Sequence, residues 1–69
     1  MGMRYAKLRG RIREKFGTQG AFAEAMDMHH TTLSRKLAGL TDWTREEMDR
    51  AAQLLGIGAD ELYGFFYGD

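Results

Sequence analysis

Cysteine and proline are both absent from the 69 residues. Without cysteine the chain has no disulfide framework and no thiolate metal site. Without proline, punctuation falls to the glycines, nine in all. No apolar run approaches the roughly 20 residues that span a bilayer. The opening MGMRYAKLRGRIREKFG is basic but has no apolar stretch after it, so no secretory signal is expected and a cytoplasmic location is. Low-complexity segments and internal repeats are missing as well. Catalysis would need a nucleophile, a base or paired carboxylates around a pocket, whereas the acids here fall on amphipathic surfaces. His29 and His30 are adjacent, so on a helix they point about 100° apart and do not chelate one ion readily. No HExxH pattern supports them. Accordingly no enzyme activity, metal, cofactor, small-molecule substrate or membrane partner is expected.

Net charge is also lacking, since ten cations balance ten acids. The distribution is uneven. Residues 1–15 carry Arg4, Lys7, Arg9, Arg11, Arg13 and Lys15 against Glu14, a net +5. Residues 42–69 carry Arg45 and Arg50 against seven acids, a net −5. Screening makes phosphate attraction local, over about 8–10 Å, so a polarised domain is able to present a basic face to DNA. The alternative is that these charges solvate helix surfaces.

What is present is helical periodicity. Tyr5, Leu8, Ile12 and Phe16 form one stripe, closed by Gly17 at the C′ position. Thr18 offers an N-cap for a second helix with Phe22 and Met26 on its inner face. Asp27 forms the turn, and Asp tolerates a left-handed backbone better than most residues. Met28 falls between the helices as a core candidate. A third helix is expected over about His30 to Ala38, with Leu33 and Leu37 inward and Gly39 as its stop. Thr44 and Glu47 spell a capping box, and Trp43 and Met48 have the spacing of a hydrophobic staple. Met48, Ala51, Ala52 and Leu55 follow as a buried stripe, then Gly56 and Ile57. A short fifth helix is expected over about 59–63, with Asp60 and Glu61 in its first turn. The tail 64–69, GFFYGD, is aromatic. The expectation is a single all-α, five-helix domain over 1–69, with a helix-turn-helix at about 18–39.

The stretch TQGAFAEAMDMHHTTLSRKLAG carries a resemblance to the lambda-repressor/Cro-like family of helix-turn-helix domains. Gln19 stands where members open helix two, Phe22-Ala23 at their L-A pair, and Asp27 at their turn glycine. Met28 stands at the turn hydrophobe and His29 at the Ser/Thr cap, and His30 to Arg35 matches the start of the recognition helix. Leu37-Ala38-Gly39 departs from the Glu-Asn-Gly that often ends that helix. The pattern KLRGRIREKFGTQGAFAEAM…TTLSRKL…TDWT…AAQLLGI also resembles small regulators encoded by Gram-positive phages and prophages, including the acidic, aromatic end DELYGFF.

On a wheel of about 100° per residue with Leu33 at zero, Leu37 falls near 40°, and Ser34, Thr31 and Arg35 fall about 100–200° away. Thr31, Ser34 and Arg35, with His30 at the helix start, are therefore the candidates for base edges. The resemblance implies that Gln19 holds a phosphate. Thr18, Lys36 and Thr41 are further phosphate candidates, and Thr18 is alternatively only a cap. The implied function is sequence-specific binding of double-stranded DNA by a transcriptional regulator, as a homodimer on a palindromic operator. Dimerisation would use Phe65, Phe66 or Tyr67, unless that tail folds over its own core. The competing function is a protein-interaction module that keeps the fold without binding DNA.

Overall fold

Leu8 and Ile12, one helical turn apart, are both withdrawn from solvent, and the rest of the chain is organised around them. The computed structural model describes residues 5–67. Its helices are α1 (Ala6–Phe16), α2 (Gln19–Ala25), α3 (His30–Leu37), α4 (Arg45–Leu55) and α5 (Leu62–Phe66). No strand occurs among the described residues. The expected all-α, five-helix arrangement is the one found. Arg4 and the last two residues of the 64–69 tail lie outside the described residues.

Each helix contributes one apolar stripe to a shared core. Leu8 and Ile12 meet Phe22, Ala23 and Met26 of the α2 segment, Leu33 and Leu37 of α3, and Met48, Ala51 and Leu55 of α4. Ile57 packs across the end of α4, and Met28 and Trp43 are half-buried against the cluster. Phe16 and Phe22 tilt together at 5.2 Å, joining α1 to α2.

Local chemistry sets the ends. Gly17 has φ 84° and donates its N–H to Arg13 O, closing α1 through a left-handed residue. Thr18 Oγ1 accepts the Ala21 N–H at 3.1 Å and starts α2. Asp27 adopts φ 59° between α2 and α3. At Thr44 both halves of the capping box are formed: Thr44 Oγ1 accepts from Glu47 N at 3.1 Å, and Glu47 Oε1 from Thr44 N at 2.8 Å.

One expectation about the C-terminal region is corrected, and one pair of alternatives is decided. The fifth helix begins at Leu62, not near 59. Asp60 and Glu61 precede it, because the Glu61 carboxylate turns back to accept the Gly58 N–H at 3.2 Å and closes a separate turn. At Phe65 and Phe66 the tail folds over its own core. Phe65 and Phe66 are 2% and 4% exposed, and Phe66 meets the Trp43 ring edge-on at 5.1 Å. Both rings belong to this chain's own core and are not free to join a second copy. Tyr63 and Tyr67 stay exposed, 5.2 Å apart.

Arginine side chains supply a further layer that the sequence does not announce. Arg9 Nη2 donates to Leu37 O at 2.9 Å, the last carbonyl of α3. Arg11 Nη1 donates to Leu55 O at 2.8 Å, the last carbonyl of α4. Arg50 Nη1 donates to Met26 O at 3.3 Å, at the end of α2. The last four carbonyls of a helix have no partner within it, and the negative end of the dipole favours a cation there. Each bond is partly exposed, and about 1 kcal/mol apiece is a suitable scale. Lys7 Nζ and the Arg11 guanidinium also lie over the Phe65 ring, 4.8 and 5.1 Å from its centre. Much of the basic N-terminal stretch therefore holds helices and rings together, which is neither the basic face nor the merely solvated surface expected from composition.

Candidate nucleic-acid interface

Helices α2 and α3 are joined by a short turn, Met26 to His29. The turn is fixed from three sides. Met28 N donates to Ala23 O at 2.9 Å, Asp27 takes the left-handed conformation, and Arg50 reaches across from α4 to Met26 O. His29 then caps α3 with an imidazole, its Nδ1 accepting the Thr31 N–H at 3.2 Å. That places the ring proton on Nε2. At the other end, Leu40 N donates to Arg35 O and Gly39 N to Lys36 O, while Arg9 holds Leu37 O.

Between these ends, α3 turns Leu33 and Leu37 inward and leaves His30, Thr31, Ser34 and Arg35 exposed. The four candidates for base contact share one accessible face. The His30 ring stacks on His29 at 4.9 Å and 23°, so its direction is set by the capping residue. Thr18 and Gln19 are exposed at the start of α2 and line a cleft of about 440 Å³ with Arg9, Gly10, Arg13 and Gly17. Thr18 serves as the cap, and its side chain also lines that cleft. Thr41 is exposed in the loop between α3 and α4.

Lys36 is the exception, and its reading as a phosphate contact is corrected. The residue is only 6% exposed. Its Nζ donates to Asp42 O at 2.8 Å and pairs with Glu47 Oε1 at 2.9 Å. A lysine held this way has no ammonium to offer a phosphate. The wheel did not decide this, since Lys36 and the exposed His30 both fall about 60° from Leu33; the Asp42 carbonyl and the Glu47 carboxylate hold the ammonium inward. Burial pushes the Glu47 carboxyl up, but the Thr44 backbone N–H and the Lys36 ammonium outweigh it and leave the group below its ordinary value.

Arg13 is the residue that sequence reasoning passed over. It is exposed and lines the cleft beside Thr18 and Gln19. Its position one turn after Arg9 on α1 was the available clue. No group of three or more metal-binding side chains occurs among the described residues, and none of their helices is long and apolar enough to cross a membrane.

This fold is that of a small phage regulator. The chain is similar to the modulator of repression (MOR) of the temperate bacteriophage TP901-1 from Lactococcus lactis, known from a solution structure. The two share 34% identity, with a TM-score of 0.84, over 97% of this chain and 90% of that one. The chain belongs to the family described as "Protein of unknown function (DUF739)", whose pattern matches residues 1–69. The resemblance to small phage regulators is thus supported, while the family matched is this one and not the repressor/Cro family. No curated protein matches the chain.

Proposed function

We propose that this protein is a phage or prophage transcriptional regulator that binds double-stranded DNA sequence-specifically, with α3 in the major groove. The observation carrying this reading is the α3 surface: an exposed polar face, His30, Thr31, Ser34 and Arg35, on a helix anchored at both ends. Thr31 and Ser34 are short and both donate and accept, which lets the helix approach base edges closely. Arg35 reaches a guanine or a phosphate. Thr18, Gln19 and Thr41 lie on exposed segments to either side, suited to phosphates, and Arg13 adds a cation beside the first two. One helix reads only a few base pairs, so the working unit on DNA is a homodimer on a palindromic operator. With Phe65 and Phe66 in the core, its contact falls to exposed residues such as Tyr63 and Tyr67.

A second reading, a module acting on another protein of the repression circuit, is favoured by one specific observation. Among the described residues, Arg9, Arg11, Arg50 and Lys36 are engaged within the fold, Lys7 lies over the Phe65 ring and Arg45 pairs with Asp49, which takes much of the basic charge away from phosphates. The name of the TP901-1 neighbour, a modulator of repression, suits either reading. Selection of bound sites from a random duplex pool separates them. Enrichment of a palindrome, with affinity falling as salt rises, supports DNA binding. No enrichment even at low salt supports the protein partner.

A further inference from the structure

The Lys36 ammonium is connected to more than its ion-pair partner. Its Nζ donates to the Asp42 carbonyl at 2.8 Å, pairs with Glu47 Oε1 at 2.9 Å and lies 6.0 Å from the centre of the Trp43 ring. The same Glu47 Oε1 accepts the Thr44 N–H that opens α4. One buried cation on the last turn of α3 is therefore tied to the loop carbonyl two residues before the α4 cap and to the carboxylate of the cap itself. The loop between, Gly39 to Trp43, carries the exposed side chains Leu40, Thr41 and Asp42. Nothing apolar holds those three down, so the loop's path depends on its two ends and on this tether.

We infer that Lys36 is a positioning residue: its ammonium fixes the α3–α4 loop against α4 and so sets where Thr41 sits relative to the exposed face of α3. This rests on the proposed DNA-binding reading for its functional half, because Thr41 matters there as a phosphate contact. The structural half stands independently. A buried ion pair adds little net stability over an apolar pair of similar size, but removing one partner alone is strongly destabilising. That asymmetry allows the tether to be removed while the fold is kept.

The variant for this is Lys36→Met with Glu47→Gln. Methionine keeps the apolar stem, and glutamine keeps an acceptor for the Thr44 N–H, as capping boxes allow. Glu47→Gln alone removes the carboxylate charge but keeps an Oε1 acceptor for both the Lys36 ammonium and the Thr44 N–H, and it serves as a second variant in case the double one does not fold. In the parent, backbone order parameters at Thr41 and Asp42 are expected near the rigid level of about 0.85, and in the folded double variant near 0.6 or below. The Glu47→Gln protein is expected in between. Binding to a duplex selected with the parent should weaken about tenfold in the double variant, the equivalent of one lost hydrogen bond. Unchanged order parameters in either folded variant overturn the tether. A loosened loop with undiminished duplex binding overturns the positioning role. If the parent selects no duplex, the DNA-binding reading fails by itself, and the order parameters still decide the tether.

Discussion

Replacing Phe65 with alanine asks whether the C-terminal helix belongs to the core. The ring is 2% exposed and is covered by Lys7 Nζ at 4.8 Å and the Arg11 guanidinium at 5.1 Å. Emptying a buried phenylalanine site costs about 3–5 kcal/mol. The two cation–π contacts add about 0.5–1 kcal/mol together, since both cations reach solvent. The total is roughly 4–6 kcal/mol. A chain of this length has roughly 3–10 kcal/mol in all. The variant is therefore expected to lose its cooperative transition or to melt about 15 °C or more below the parent, because each kcal/mol is worth about 4–8 °C in a domain of this size. Thermal unfolding followed by far-UV circular dichroism reads this directly. Phe65→Leu separates the two contributions, since it retains most of the apolar volume and loses the ring face. Its expected cost is about 1 kcal/mol. A Phe65→Ala protein melting within about 3 °C of the parent would refute the reasoning, and α5 would then be an appendage to a four-helix core.

Arg9→Met removes the cation from the last carbonyl of α3 and is expected to cost about 1–2 kcal/mol, with faster amide exchange at Ala38 and Gly39 than elsewhere in the molecule. Uniform change across all helices would show that Arg9 does not cap α3 in particular. Acid stability supplies another expectation. Glu47 lies below its ordinary value when folded, so its contribution is present above the unfolded carboxylate midpoint near about 4.3 and is lost as pH falls through the lowered folded value. Urea unfolding between about pH 6 and pH 3 should show a steeper acid loss in the parent than in Glu47→Gln. Parallel curves would mean that the carboxylate is not favoured by the fold.

Elements written by neighbouring residues were legible from the sequence. The capping box needs only Thr44 and Glu47, three positions apart, and it forms with both bonds in place. Asp27 was readable as a left-handed turn because its neighbours already ended one stripe and began another. Two errors came from local cues with more than one meaning. Glu61 looked like a first-turn acid, yet its carboxylate serves the turn before the helix. The basic opening suggested either a face for phosphates or a solvated surface, yet Arg9 and Arg11 serve carbonyls 28 and 44 residues away. No spacing rule reaches that far, because which helix end an arginine meets is decided by tertiary packing. On α3 the outward direction of Thr31, Ser34 and Arg35 followed from periodicity alone. The inward turn of Lys36 did not follow from it, because its partners Asp42 and Glu47 lie in the next loop and helix.

The central claim, that the outer face of α3 reads duplex DNA, is tested most directly by affinity for a selected duplex across a salt series. Parent, Thr31→Ala and Ser34→Ala proteins would be compared on that duplex and on a random one. The expected result is parent binding that weakens as salt rises, with each substitution costing about 1–3 kcal/mol on the selected duplex and almost nothing on the random one. A parent that binds neither duplex at low salt, or substitutions that weaken both equally, would contradict the account.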